Sequence, residues 1–200
     1  MTNQLSSYYL DYTKDILYIE KADSHARRSI QTVIYHTTKA LATLLTPLIP
    51  HTTEEVYKYF VGKKEASIYL ENMPEVIKYE NADDLKAKYA EFMLVRNDVL
   101  KALENARNAK VIGKSFSAKL SIKPTEAVKT LLDSMNINLQ RVFIVSDFEL
   151  VQGELEGETF DSGIILVTPA QGVICSRCWQ VVPAVNEDEL CPRCHEILNK

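Results

Sequence analysis

Four cysteines near the carboxyl end of the chain have the spacing of a metal site. They form two pairs, Cys175 with Cys178 and Cys191 with Cys194, and twelve residues separate the pairs. A Cys-x-x-Cys turn can hold two thiolates about 2.3 Å from one Zn²⁺, so two such turns complete a tetrahedral set of four sulfurs. Thiolates favour zinc over hard cations, and four sulfurs leave no coordination position for a water molecule. We therefore predict one structural Zn²⁺ per chain.

Other uses of the cysteines fit the sequence less well. Residues 1–4 show no basic segment before an apolar run, so no signal peptide is predicted. No stretch reaches the roughly 20 apolar residues of a membrane span, and no membrane partner is expected. We expect a cytoplasmic protein, in which thiols stay reduced and a disulfide is disfavoured. A redox pair would need no second pair, and His195 directly follows Cys194, so both are not expected to ligate one metal ion.

The residues beside the cysteines could contact RNA. Trp179 is the only tryptophan and directly follows Cys178, while Arg177 and Arg193 lie inside the two Cys-x-x-Cys turns. An indole ring and guanidinium groups on a rigid turn can stack on unpaired bases and pair with phosphates. The sequence is equally compatible with Trp179 shielding the metal site from solvent. Both interpretations stay open at this level.

The net charge of −4 is unevenly distributed along the chain. Residues 93–123 contain seven Lys or Arg against two acidic residues, whereas residues 124–170 contain two Lys or Arg against eight acidic residues. The basic segment could face phosphates, or it could be a solvated helix face followed by an acidic loop. The residues that we select as candidates for phosphate contacts are Arg96, Arg107, Lys110, Lys114 and Lys119.

The first two thirds of the chain are predicted to be helical. Apolar residues recur at three- and four-residue steps over 24–45 and 82–109, which predicts two helices, the first capped by Asp23 or Ser24. Thr52 and Glu55 have the spacing of a capping box and predict another helix start.

The remaining third shows strand patterns before the cysteines. Residues 118–123 alternate apolar and polar side chains, as a half-buried strand does. Pro124 fits the first turn of a short helix. The other predicted pieces are an extended segment at 67–70, a helix at 125–134, strands at 141–146, 148–151 and 164–168, and an acidic loop at 152–163. The expected fold is a mainly α helical bundle, a small α+β unit and a zinc ribbon with four cysteine ligands.

Six segments together resemble isoleucyl-tRNA synthetases, and they occur in that family's order. Two of them are Ile-Gly-Lys-Ser at 112–115 and Cys-Ser-Arg-Cys-Trp at 175–179, a combination that separates the isoleucyl enzymes from their valyl and leucyl relatives. The other four segments are residues 5–15, 27–35, 45–56 and 96–104.

This resemblance implies an anticodon-binding role. The helical bundle would receive the anticodon stem of tRNA(Ile), and the zinc-bearing tail would reach the anticodon loop. The four cysteines match the family's zinc ligands, Arg177 and Trp179 match positions expected to touch the anticodon, and the basic stretch would contact phosphates. We expect a monomer divided into an anticodon-binding domain over 1–112, an α+β domain over 113–170 and a zinc tail over 171–200.

The sequence departs from the family in lacking its catalytic parts. The motifs His-x-Gly-His and Lys-Met-Ser-Lys-Ser and the editing domain are absent from the sequence. ATP and Mg²⁺ are therefore expected to bind only in a catalytic core outside this chain, and the chain alone is predicted to be inactive. It would be part of a longer enzyme or the product of a split gene. The alternatives are a free-standing zinc-ribbon protein for another nucleic acid and a tail with a purely structural docking role.

Overall fold

The computed structural model describes residues 2–62 and 65–199. The helices are α1 (Asp11–Ile19), α2 (His25–Leu45), α3 (Pro50–Lys58), α4 (Ala82–Asn108), α5 (Glu126–Met135), α6 (Leu139–Phe143) and α7 (Pro192–Leu198). The strands are β1 (Ala118–Pro124), β2 (Asp147–Leu150), β3 (Glu158–Phe160), β4 (Gly163–Pro169), β5 (Val173–Ile174) and β6 (Val181–Val182). A π-helical segment, Thr2–Leu10, precedes α1. In the described part of the chain, no helix combines the length and apolar character that crossing a membrane requires.

The chain divides into two compact units. Residues 20–79 form one unit, and the other contains the described residues up to 19 together with those from 80 onward. The predicted boundaries at 112/113 and 170/171 are not tested by this division and stay a prediction. The second unit contains both the sheet and all four cysteines.

The smaller unit, residues 20–79, is built on α2 and α3. The helix predicted over 24–45 is confirmed, and the Ser24 hydroxyl caps it by accepting the Arg27 N–H at 3.2 Å. The helix start predicted at Thr52 is wrong, because α3 begins at Pro50. Proline suits a first helical position since the N–H that it lacks would have no partner there.

Residues 67–70 also differ from the prediction, since Ile68–Leu70 form a 3₁₀ helix and no extended segment. The Ser67 hydroxyl accepts a hydrogen bond from the Tyr69 N–H and donates one to the Glu54 carboxylate at 2.9 Å. The Glu54 carboxylate also accepts the Ile68 N–H. These local bonds favour a turn over a strand. Ile68 then packs with Ala42 in the small core of this unit.

The larger unit contains a mixed sheet in the order β2-β1-β4-β3. Strand β1 pairs in parallel with β2 and antiparallel with β4, so that Leu120 lies between Phe148 and Val167. Strand β3 pairs antiparallel with β4 and lies inside the segment predicted to be a loop, so that part of the prediction is wrong. The predicted strands at 118–123, 148–151 and 164–168 are confirmed as β1, β2 and β4.

Helix α4 covers the sheet and supplies most of the helical side of the core. The long helix predicted over 82–109 is confirmed. Its Phe92, Val99 and Leu103 are buried together with Leu120 and Ile122 of β1. This stripe of apolar residues packs in the core. The packing fixes the position of α4, and therefore of both its ends, on the sheet.

The strand predicted over 141–146 is wrong, because α6 occupies Leu139–Phe143. The Asn138 side chain caps α6 by accepting the Arg141 N–H at 3.0 Å, and Ile144 ends it in the left-handed conformation with φ 59°. The helical turn places Phe143 against Phe92, with ring centroids 6.0 Å apart. Tertiary packing therefore overrides the strand preference of a short apolar run. The placement of Pro124 in the first turn of a helix is also wrong, because Pro124 is the last residue of β1 and Thr125 is the N-cap of α5.

We predict that Phe92→Ala lowers the free energy of unfolding by about 3–5 kcal/mol, because it removes a fully buried ring from the centre of this core. Urea denaturation followed by circular dichroism measures the change. Leu94→Ala on the same helix is the control, since Leu94 is 67% exposed and its loss should change stability by no more than about 0.5 kcal/mol. Equal effects of the two substitutions would contradict the assigned face of α4.

Candidate metal centre and nucleic-acid interface

The four cysteine sulfurs converge in the structure. The Sγ atoms of Cys175, Cys178, Cys191 and Cys194 lie within 4.8 Å of one another, and all four residues are buried. The sulfurs of Cys178 and Cys191 are 3.8 Å apart. Four sulfurs bound tetrahedrally at about 2.3 Å from one zinc ion would be separated by about 3.8 Å. The cluster could therefore hold one metal ion with no water in its coordination sphere.

Short local elements hold each pair of cysteines in place. The hairpin of β5 and β6 flanks the first pair, where the Cys175 N–H donates to the Gln180 carbonyl at 3.0 Å and the Trp179 N–H donates to the Cys175 carbonyl at 2.9 Å. In the second pair, Cys191 is the N-cap of α7, and its sulfur accepts the Cys194 N–H at 3.4 Å. Both turns thus present sulfur lone pairs toward one centre.

Burial and hydrogen bonds change the pKa values of three of these thiols. Burial raises the pKa of the Cys178 and Cys194 thiols. Burial also acts to raise the pKa of Cys175, but backbone N–H groups of residues 178 and 191 aimed at its sulfur outweigh burial and lower the pKa to about 6. Four adjacent thiolates in a buried site would repel one another, and a bound divalent cation removes that obstacle. This donor set fits a structural metal ion.

Trp179 projects from the first cysteine turn into solvent. Its side chain is 68% exposed, although it lies next to the buried Cys178. Its backbone adopts the left-handed conformation with φ 62°, which is unfavourable for a large side chain. An exposed indole does little to shield the metal site, so the placement favours contact with a partner over the shielding interpretation.

Trp179 also lines a cavity of about 470 Å³ between α1, α6 and the first cysteine turn. Tyr12, Phe116 and Ile144 contribute apolar walls, and Ile144 is the second residue of the cavity with a left-handed backbone. Two large residues in this conformation at one cavity represent backbone strain of about 1–3 kcal/mol each. Strain of this kind concentrates at functional sites, which marks the cavity as a candidate binding site.

The two arginines of the cysteine turns are held against α1. The Nη1 and Nη2 atoms of Arg193 each donate a hydrogen bond to the Asp15 carboxylate, at 2.8 and 2.6 Å. Arg177 donates to the carbonyl of Ile19, the last residue of α1, at 2.9 Å. These residues were predicted to contact RNA, and the structure places them in contacts within the protein.

The predicted basic residues occupy different environments. Arg107, Lys110 and Lys114 are exposed around the carboxyl end of α4. Arg96 is only 5% exposed; it stacks on the Tyr8 ring at 4.9 Å and donates to a backbone carbonyl at 3.3 Å. This placement does not support a phosphate contact by Arg96.

Lys119 pairs with the carboxylates of Glu149 at 2.9 Å and Asp147 at 3.5 Å. These carboxylates raise the pKa of its ammonium group, and the largest cause is the hydrogen bond that the ammonium donates to Glu149. Two acidic partners offset the attraction of this lysine for a phosphate, so Lys119 is a weaker candidate than the lysines beside α4.

Sequence reasoning missed three residues of this region. Asp15 binds Arg193, Ile144 lines the cavity, and the Ser146 hydroxyl accepts the Val181 N–H of the tail at 2.7 Å. Their partners lie far away in sequence, so no local pattern marks them. The one available signal was the position of Asp15 within the segment 5–15.

Comparison with known protein families identifies the class of this chain. The profile of the family described as "Anticodon-binding domain of tRNA ligase" matches residues 1–122, which is more than half of the chain. The chain belongs to this family of anticodon-binding domains of tRNA ligases.

The chain is also similar to isoleucine–tRNA ligases. The chain is 46% identical to the isoleucine–tRNA ligase of Geobacillus thermodenitrificans over 210 aligned residues, which cover all of this chain and 23% of the relative. The isoleucine–tRNA ligases of Bacillus cytotoxicus and Lactobacillus johnsonii are 44% and 47% identical, with 22% of each relative covered and 100% and 99% of this chain. The chain thus spans less than a quarter of the length of these relatives.

We predict that the purified, reduced chain contains one metal ion and that Cys191→Ser lowers the content below about half an equivalent. A serine can still cap α7, so the loss is attributable to the missing sulfur ligand. Elemental analysis measures the content. His195→Ala is the matched control and should retain the metal, because the ring of His195 interacts with the side chains of Asn186 and Asn199. Retention of a full equivalent by Cys191→Ser would contradict the four-sulfur site.

Replacing Trp179 tests whether its indole shields the metal site or is free to contact RNA. Trp179→Gly should hold the metal at least as tightly as Trp179→Ala and be more stable by about 1 kcal/mol, because glycine adopts the left-handed conformation without strain. Metal release to a chromophoric chelator and thermal unfolding measure these effects. Faster release from both variants than from the unaltered chain would instead support a shielding indole.

Proposed function

We propose that this chain is the part of an isoleucine–tRNA ligase that binds the anticodon region of tRNA(Ile), with one structural Zn²⁺ ordering its tail. The observation that carries the proposal is the exposed, strained Trp179 beside a cavity at the metal-binding turn. The similarity of the whole chain to isoleucine–tRNA ligases supports the choice of tRNA and of the amino acid.

The proposed contacts divide into stacking and positioning. An unstacked base of the anticodon loop can stack on the Trp179 indole, and such stacking contributes about 1–3 kcal/mol per base. Arg107, Lys110 and Lys114 would contact phosphates, which orients the RNA without reading its sequence. They surround the carboxyl end of α4, where the helix dipole also favours cations. Arg96, Arg193 and Lys119 take a secondary place in the proposal, because each is engaged within the protein.

The metal contributes structure rather than chemistry in this proposal. Zinc is the ion that four thiolates in a closed tetrahedral site favour, and it would hold the two cysteine turns at a fixed separation. Joining isoleucine to tRNA with ATP and Mg²⁺ belongs to the rest of the synthetase, which we propose as the covalent partner of this chain. We further propose a cytoplasmic, monomeric protein.

A purely structural tail is the second candidate function. The contacts of Arg177 and Arg193 with α1 favour it, since they show that the tail docks within its own unit. The exposed indole and the cavity favour RNA binding in addition to docking. A free-standing zinc-ribbon protein is less well supported, because the similarity to ligases covers the helical part of the chain as well as the tail.

We predict that the zinc-loaded chain binds a tRNA(Ile) transcript at low salt and that binding weakens as salt rises. Lys110→Ala and Lys114→Ala should each reduce the slope of log affinity against log salt by about 0.7–0.9, because each removes one phosphate contact. Trp179→Ala should lower the affinity by about tenfold or more through lost stacking. Fluorescence anisotropy of labelled tRNA measures both effects.

Lys86→Ala supplies the control for the lysine variants, since Lys86 is exposed at the far end of α4 and pairs with Asp83. It should leave the salt slope unchanged. The matched RNA control is the same transcript with an unrelated anticodon loop. Equal binding of both transcripts, or no binding at low salt, would refute anticodon recognition by this chain.

A further inference from the structure

A largely buried carboxylate joins the metal-binding tail to the body of the larger unit. The Asp15 side chain is only 11% exposed, and it contacts guanidinium groups from two other elements. Arg193 of α7 approaches it with two N–H donors, and the Nε atom of Arg141 in α6 lies 3.6 Å away. One side chain of α1 thus connects three helices that are far apart in sequence.

Two further contacts attach the tail at the same place. Arg177 donates to the Ile19 carbonyl, and the Ile19 side chain is buried against the four cysteines. The Val181 N–H donates to the Ser146 hydroxyl, just beyond Trp179. The tail is therefore attached once within the first cysteine turn, at Arg177, and once just after it, at Val181, and Trp179 lies between these two residues in the chain.

The arginine contacts have a geometry that favours docking over phosphate binding. A paired guanidinium and carboxylate with two parallel hydrogen bonds is among the stronger polar contacts, particularly when half-buried. Arg193 also lies beside the Cys178 sulfur, and Arg177 lies beside the Cys194 sulfur. Four thiolates around one divalent ion would carry a formal charge of two negative units, which Arg177 and Arg193 would offset in part, since Arg193 is also paired with Asp15.

We propose that Asp15 is a positioning residue that fixes the metal-binding tail, and with it Trp179, for contact with RNA through the bidentate pair with Arg193. The inference rests on the proposed function and deepens it, because it assigns Arg177 and Arg193 to the tail's attachment to α1 and leaves Trp179 as the residue of the tail that contacts RNA. The Asp15 carboxylate holds Arg193, Arg193 holds the start of α7, and the shared metal site transmits that position to the first cysteine turn.

The direction in which one substitution changes tRNA affinity separates this proposal from direct RNA contact by Arg193. Asp15→Asn keeps the size of the side chain but removes the charge that binds Arg193 and Arg141. If Asp15 positions the tail, tRNA affinity should fall at least fivefold. If Asp15 merely competes with RNA for Arg193, affinity should rise, because the guanidinium becomes available to phosphates and a repulsive charge is lost.

The zinc-loaded chain offers a readout that needs no RNA. Trp179 is the only tryptophan, so the anisotropy of tryptophan fluorescence reports its mobility without interference. Asp15→Asn should lower this anisotropy and increase quenching by acrylamide, while the zinc content remains one equivalent. Arg193→Lys should reproduce both effects, because lysine keeps the charge but cannot form two parallel bonds. Asp15→Glu should restore part of the affinity. Asp133→Asn, at an exposed position on α5, is the control for the change in net charge and should behave as the unaltered chain.

The outcomes distinguish failure of the inference from failure of the proposed function. If the unaltered chain binds no tRNA while Asp15→Asn still frees Trp179, the proposed function is refuted and the positioning of the tail is upheld. If Asp15→Asn leaves Trp179 mobility and tRNA affinity unchanged, or alters mobility without affecting affinity in a chain that binds tRNA, the positioning role is refuted. Loss of zinc from Asp15→Asn would also overturn it, since Asp15 would then support the metal site itself.

Discussion

Convergence of four thiolates on one centre is the constraint on which the tail of this protein depends. The buried set around the metal site consists of the cysteines themselves and Ile19, with Val182, Val185, Leu190 and Ile197 only partly covered. A core of this size cannot offset the conformational entropy of ordering the tail. A bound metal ion would supply the missing free energy, and backbone N–H groups directed at the sulfurs of Cys175 and Cys191 hold the turns in a shape that suits it.

Attachment to α1 gives this ordered tail a defined place. A metal site alone would fix the shape of the two cysteine turns but leave their orientation on the body open. The Arg193–Asp15 pair and the Arg177 contact with Ile19 remove that freedom. Trp179 then emerges at one edge of a cavity whose opposite walls belong to α1 and α6. The metal site would thus fix the shape of the first cysteine turn, and the contacts with α1 fix its position.

Charge is distributed so that one end of α4 remains cationic. The acidic residues of the strand region do not cancel the basic segment uniformly; Asp147 and Glu149 are engaged with Lys119 on the sheet. Arg107, Lys110 and Lys114 keep their exposure where the helix ends. An acidic chain can consequently present a local basic surface, which is why net charge was a poor guide to the proposed RNA contact.

Local patterns in the sequence determined much of the fold and the ligand set. The periodicity of α2 and α4, the alternation along β1 and the spacing of the cysteines each report interactions between residues close in the chain, and the structure has all of them. The run around Phe143 has the sequence pattern of a strand but forms a helical turn, because Phe143 packs on Phe92 and sequence spacing does not encode that contact.

The partners of the arginines were decided by the tertiary structure alone. Arg193 and Asp15 are 178 positions apart, and Arg177 and Ile19 are 158 apart, so no periodicity or spacing could connect them. From the sequence, a guanidinium beside a metal-binding turn has the same appearance whether it faces a phosphate or a largely buried carboxylate. Only the folded chain brings α1 to the cysteine turns, and that proximity determines which of these charges Arg193 meets.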